Sequence, residues 1–197
     1  MQRGKADFGL LLVGMLWGLG FVFVKIGLNE GITPFYLLTI RFLVAFIILF
    51  VIFRSRLKNI EKLDLKNGFI IATFLFLGFA FQISGAALTT ASNNAFFTAI
   101  NVIIVPYIFW AIHKHVPNIF SFIAAGLCIL GVGILSFDSK MQLNQLNEGD
   151  ILTIISALFF AFHIAFTGFL STKSEPIKLN VIQMGFASVY SLIALVI

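Results

Sequence analysis

The amino-acid sequence predicts an all-α polytopic membrane protein. Three observations carry this. Hydrophobic residues make up 60% of the 197 residues and charged residues only 11%, where a soluble domain has roughly 25% charged residues to cover its wet surface. Mean hydropathy is +1.06. Seven apolar runs are long enough to approach the ~20 residues that cross about 30 Å of hydrocarbon as a helix. None of them alternates as a barrel strand would. Backbone groups in lipid must find hydrogen bonds within their own segment, so the runs are helices.

The runs lie at 7–28, 33–54, 67–88, 92–112, 118–137, 150–171 and 177–197. The first follows Arg3 and Lys5 in the manner of a signal peptide. However, Phe8 to Val24 already spans 17 uncharged residues, longer than a usual h-region, and no small-residue cleavage site follows. It is expected as a retained span. The connectors "NEGITP", "RSRLKNIEKLDLKN", "TTASN", "HKHVP", "DSKMQLNQLNEGD" and "STKSEP" carry turn residues. Pro34, Pro117 and Pro176 sit near helix starts, where the missing N–H costs little. Pro106 lies deep in the fourth run and is expected to bend it or free a carbonyl.

Charge sets the topology. With the N-terminus in the cytoplasm, Arg3, Lys5, Arg54, Arg56, Lys58, Lys62, Lys66, Lys114, Lys173 and Lys178 face inside and only Lys140 faces outside. That bias is the positive-inside pattern. Glu30, Asp138, Glu148 and Asp150 fall on the outer side. Net charge is +5, but the basic residues punctuate apolar runs, which argues for membrane topology and against a nucleic-acid partner.

A weak internal repeat relates the stretch from Asp7 to that from Asp150. Each has an acid, an apolar span, a polar loop with a proline (Pro34, Pro176) and a second span. Phe23 aligns with Phe166, Leu37 with Leu179, Ile40 with Ile182, Ala45 with Ala187, and Arg41 with Gln183. Five spans separate the two starts, so the second copy enters from the opposite side, the inverted build of many secondary transporters. The division expected is a five-helix repeat over 7–137 and a partial, two-helix second repeat over 149–197. A C-terminally truncated chain is expected, with a natural seven-span protein as the alternative.

Polar groups inside lipid need a reason. Gly14, Trp17, Gly18, Phe21 and Lys25 share one helical face. Gly14 and Gly18 form a G-x-x-x-G pair that lets another backbone approach, so this face is expected to look inward. Lys25 lies ~27 Å along the helix from Asp7, near the outer boundary. It either snorkels to headgroups or belongs to a pathway. Arg41 lies ~10 Å below the outer helix end, where a charge costs roughly 2.5–3.5 kcal/mol on insertion scales. It can be satisfied by helix-end carbonyls, by water in a cavity, or by an anionic ligand that suits its planar fork.

Asn94, Thr98 and Asn101 share a face of the fourth run, and Gln82 sits in the third. They line a polar pathway or cross-link helices at ~0.6 kcal/mol per bond. His163 is the lone histidine within a run. It is either a proton carrier or a neutral core histidine bonded to a carbonyl. His113 and His115 fall in a polar turn. Cys128 is the single cysteine, so no disulfide forms within the chain and no metal motif exists. No H-E-x-x-H, G-x-S-x-G, P-loop or C-x-x-C is present. Neither a cofactor nor an enzymatic activity is expected.

The stretches "LLVGMLWGLGFVFVKIGL", "TPFYLLTIRFLVAFIIL", "ALTTASNNAFFTAINVIIVPYIFW" and "IAAGLCILGVGILSF" resemble the drug/metabolite transporter superfamily, in particular the EamA-like transporters. The tryptophan–glycine pair followed by a lysine, and then the arginine of the second run, are the most specific features. The resemblance implies a ten-helix fold of two inverted five-helix repeats with cytoplasmic termini, in the plasma membrane. It implies alternating access and a small-molecule substrate of the amino-acid, metabolite or drug type. It also places Trp17, Lys25, Arg41 and the Asn94–Asn101 face at or near the pathway. The alternative is a non-transporting scaffold or transporter remnant. Oligomeric state is left open.

Overall fold

A computed structural model describes residues 2–114, 118–135 and 146–196. His115, Pro117, Asp138 and Lys140, named above, lie outside the described residues. All regular elements among the described residues are helices: α1 (Gln2–Asn29), α2 (Pro34–Phe53), α3 (Lys62–Leu88), α4 (Ala91–Thr98), α5 (Asn101–His113), α6 (Ile119–Leu135), α7 (Glu148–Leu170) and α8 (Pro176–Val196). Among the described residues six segments are long and apolar enough to cross a membrane, with α4 and α5 together forming one of them. The sequence predicts seven. The remaining one, α6, has 17 described residues, or ~26 Å of rise, somewhat short of a full span.

Local chemistry sets the helix starts. Thr33 precedes Pro34, whose fixed φ opens α2. Asn147 caps α7 by accepting from the Asp150 amide at 2.9 Å, and the Asp150 carboxylate accepts from the Asn147 amide at 3.1 Å. Glu61 and Asp64 form the same reciprocal box at α3. That box is why α3 starts at Lys62 and not at the predicted 67: it recruits the polar "KLDLK" as a first turn. Gly31, at φ +87°, makes the tight α1–α2 connection.

α3 is the central helix, packing mainly on α7 and α8, while α2 lies along α8. One apolar cluster joins Leu38, Phe42, Leu75, Ile83, Phe160 and Ala187. Phe79 meets Phe42 and Phe160 edge-on, at 5.5 and 5.0 Å between centroids. Small residues permit the α3–α7 approach. A Cβ on Gly85 would sit 2.7 Å from the Gly149 carbonyl oxygen, and one on Gly78 would sit 2.8 Å from the Phe160 ring. Along α7, Gly149, Thr153, Ala157, Ala161 and Ala165 recur every four residues and all are buried. Without hydrophobic drive between helices in lipid, such close packing is the main source of association.

The glycine pair of the first run behaves differently. A Cβ at Gly14 or Gly18 would meet nothing within 4 Å, so the expected close approach is not made among the described residues. The physical reason is that α1 packs through its last turns, where Val24 and Leu28 reach the core cluster and Gly27 rests on Leu37. A G-x-x-x-G pattern marks a surface that can be approached, not one that is.

The opposite end of the bundle is tied by polar contacts. Lys178 donates to the Asn59 carbonyl at 3.0 Å and lies 3.9 Å from Asp64. Asn67 donates to the Ser174 hydroxyl at 3.0 Å. Together they join the α2–α3 connection to the α7–α8 turn.

Candidate functional site

The fourth run is broken between Thr98 and Asn101, not at Pro106, which remains inside α5. Around the break the bonds tighten to i→i−3: Ile100 N to Phe97 O at 3.2 Å, Val102 N to Ala99 O at 3.0 Å and Ile103 N to Ile100 O at 2.9 Å. At the end of α4 the Thr98 hydroxyl donates back to the Asn94 carbonyl at 2.7 Å, the same back-bond that Thr39 and Thr73 make within unbroken helices. Broken spans of this kind are where transporters place polar groups at membrane depth.

Asn94 uses both amide hydrogens, one to the Gln82 carbonyl at 2.9 Å and one to the Thr153 hydroxyl at 2.8 Å. The Gln82 side-chain amide donates to Thr98 Oγ1 at 3.1 Å, and Thr153 donates to the Gly149 carbonyl at 2.7 Å. All four residues are buried. These bonds lock α3, α4 and α7 together, which realises the cross-linking alternative for Gln82, Asn94 and Thr98. Asn101 is also buried but lies beyond the break, and its side chain joins none of these bonds. Thr153 was not singled out from the sequence; its place in the four-residue stripe of α7 is the signal that marks it.

Gln82 and Asn94 nonetheless have a second role in shape. With Trp17, Gly20, Phe21, Val24, Arg41 and Ile83 they line a narrow crevice of about 10 Å³, room for roughly one water. Trp17 supplies an aromatic wall and is half exposed.

Arg41 stands at this crevice and also on a groove of about 540 Å³, otherwise walled by apolar groups including Leu38, Phe42, Phe79 and Met184. Its guanidinium carbon lies 5.0 Å from the Phe79 ring centroid. The expected contacts to helix-end carbonyls are absent: Arg41 has no hydrogen bond or ion pair with any described residue. The carbonyls at the C-terminal end of α3 are taken by Lys25 instead. Its ammonium donates to Ala86 O at 2.8 Å and Ala87 O at 3.4 Å, a favourable place for a cation at a helix C-terminus. Lys25 therefore anchors α1 to α3.

His163 lies outside the crevice lining. Its Nε2 is 2.9 Å from Gln183 Oε1, and Gln183 Nε2 donates to Asn180 Oδ1 at 2.7 Å. The partner is a side-chain amide on α8, not the backbone carbonyl weighed from the sequence. A second buried polar cluster surrounds Asp150, which accepts from Thr89 Oγ1 at 2.6 Å. Among the described residues no group of His, Cys, Asp or Glu could hold a metal ion.

A bundle of membrane-length helices with a broken span, an exposed arginine without a hydrogen bond or ion pair to any described residue, and buried amides between its helices defines a polytopic membrane protein. Sequence comparison names the family. Residues 4–137 match the EamA-like transporter family, and the chain belongs to it. It is similar to an uncharacterized transporter of Archaeoglobus fulgidus, 36% identical over 179 residues, covering 91% of this chain and 54% of that protein. A second uncharacterized transporter of the same organism is 28% identical over 171 residues, covering 82% of this chain and 57% of that protein. The chain thus spans about half the length of the curated relatives it matches. No solved structure matches it.

Proposed function

We propose that this chain forms part of a secondary transporter of small metabolites, of the amino-acid, metabolite or drug efflux type, that works by alternating access in the plasma membrane with its N-terminus in the cytoplasm. Transport, and not catalysis, is the proposed activity. The observation that supports it is the position of Arg41. An arginine unpaired among the described residues sits between a narrow crevice and an open groove of about 540 Å³. The crevice is too small for a metabolite as it stands. One of its walls is α1, which packs on the bundle through its last turns, so tilting α1 about the Lys25 anchor would widen it. Arg41 then meets the solute, Trp17 covers its apolar part, and the Gln82 and Asn94 carbonyl oxygens accept from its donors.

The test is flux in proteoliposomes containing the longest form encoded by the gene, with a panel of labelled amino acids, organic acids and cationic drugs. The expected result is saturable movement of at least one panel member, lost in Arg41→Gln protein that remains folded. Movement no greater than in protein-free liposomes for the whole panel would overturn the reading in favour of a non-transporting membrane scaffold.

A further inference from the structure

We propose that the groove between α2 and α8 binds one anionic phospholipid, with an acyl chain between the helices and the phosphate at Arg54 and Lys58. Three observations carry this. The first is the groove itself. It has a volume of about 390 Å³, and no polar side chain lines it. Phe46 and Phe50 of α2, Leu57 and Ile60 of the α2–α3 connection, and Ile182 and Val189 of α8 are among its walls. It shares no lining residue with the Arg41 groove. A Cβ on Gly185 would lie 3.1 Å from the Phe46 ring, so the glycine is what lets that ring rest against α8.

The second is depth. The groove starts at the connection. From there it reaches Phe46, seven residues or ~10 Å before the end of α2, and Val189, thirteen residues or ~20 Å from the start of α8. That is about half of a ~30 Å hydrocarbon core, the share of one leaflet. An acyl chain fills such a depth, whereas a helix that crosses the membrane would need a groove along the whole of α2 or α8.

The third is charge. α2 ends at Phe53, so the connection lies where headgroups begin. Within it Leu57 and Ile60 line the groove, while Arg54, Arg56 and Lys58 are exposed. The connection is held in this form. Asn59 takes φ +60°, a left-handed conformation that asparagine tolerates, and its carbonyl accepts from Lys178 at 3.0 Å. Some of the cations are already matched: Lys178 lies 3.9 Å from Asp64, and Arg56 lies 3.6 Å from Glu175. Arg54 and Lys58 have no hydrogen bond or ion pair with a described residue. Over 54–66 and 171–178, seven basic side chains stand against three carboxylates. This end of the bundle therefore keeps a positive excess that an anionic headgroup answers. The arginine fork suits a phosphate, and the lysine adds a point charge. A zwitterionic headgroup brings its own cation and gains less.

The site requires only the membrane-spanning bundle, and it stands whether or not the chain moves a solute. In the proposed orientation it draws on the cytoplasmic leaflet.

The test is native mass spectrometry of the longest form encoded by the gene, released from detergent micelles that hold equal amounts of phosphatidylglycerol and phosphatidylcholine with the same acyl chains. One phosphatidylglycerol per chain is expected to stay bound, in preference to phosphatidylcholine. Arg54→Gln and Lys58→Gln should each weaken that retention roughly fivefold, the share of one cation near a headgroup. Lys114→Gln removes an exposed cation at the end of α5 and should leave retention unchanged. Val189→Trp fills the groove without altering the charge and should weaken retention several-fold. The unfolding midpoint of each variant in lipid-free micelles separates loss of the site from loss of the fold.

Equal retention of the two lipids, or an equal effect of Lys114→Gln and Arg54→Gln, would mean diffuse attraction and overturns the proposal. Unchanged retention in Val189→Trp protein would put the lipid outside the groove and also overturns it. So does a protein that keeps no lipid, the groove then being covered by a second copy, seen as a dimer, or by further segments of the same chain.

Discussion

The Asn94 side-chain amide donates to the Thr153 hydroxyl at 2.8 Å, bridging the short helix α4 before the break to α7. The same amide also reaches the Gln82 carbonyl. Asn94→Ala removes both bonds and leaves a carbonyl and a hydroxyl short of donors at membrane depth. Bonds of this kind average ~0.6 kcal/mol in a membrane protein, with a maximum near 1.7. The expected loss is about 1–2 kcal/mol, read as a lowered unfolding midpoint in mixed micelles. Asn101→Ala, which breaks none of these bonds, should change that midpoint much less.

The two glycine patterns should respond oppositely to substitution. A Cβ at Gly85 would lie 2.5 Å from Thr153 Oγ1 and 2.7 Å from the Gly149 carbonyl. The second contact is backbone and cannot rotate away, so Gly85→Ala forces α3 and α7 apart. Overpacking of this kind costs typically 1–3 kcal/mol. Gly14→Ala and Gly18→Ala add a methyl into open space and should leave thermal stability in detergent unchanged. Equal loss from all three would show that α1 packs over its whole length.

Lys25 ties α1 to the end of α3, so its charge matters less than its reach. Lys25→Met keeps the apolar stem but leaves the Ala86 and Ala87 carbonyls without this donor. A loss of about 1 kcal/mol is expected for a partly buried cation at a helix C-terminus. The more specific readout is the release of α1, seen as faster proteolysis or thiol labelling near Trp17 in a cysteine-substituted protein. Unchanged labelling would mean that the core contacts of Val24 and Leu28 hold the helix by themselves.

These particulars show what a membrane sequence can and cannot express. Helix positions were legible because lipid forces every apolar run to be a helix, and depth along a run is simple arithmetic; Arg41 was found that way. Relations between helices were not. The His163–Gln183 bond joins residues twenty apart whose relative rotation no periodicity encodes, and Lys25 found its carbonyls on a helix sixty residues away. Gly14 and Gly18 looked like an interface because glycine spacing records permission to pack, whereas Gly85 and Gly149 pack. Pro106 is the obvious breaker in the sequence, yet the helix is interrupted ahead of it, between Thr98 and Asn101, where the apolar pattern of the run carries no signal.

Arg41 allows the sharpest separation of stability from function. Its contact with Phe79 is a cation–π pair at 5.0 Å, worth ~0.5–1 kcal/mol at an exposed site, and it holds no hydrogen bond to a described residue. Replacing it with a neutral residue also removes the cost of a charge at membrane depth. Arg41→Gln should therefore leave the unfolding midpoint unchanged or slightly raised, while flux of a carboxylate solute falls at least tenfold. Arg41→Lys separates the two uses of the side chain. Lysine keeps the charge but not the planar fork that grips a carboxylate through two bonds. It should retain some flux at a raised half-saturation concentration. If Arg41→Gln instead unfolds the protein, the arginine is structural, and the groove beside it is a packing surface and not a route.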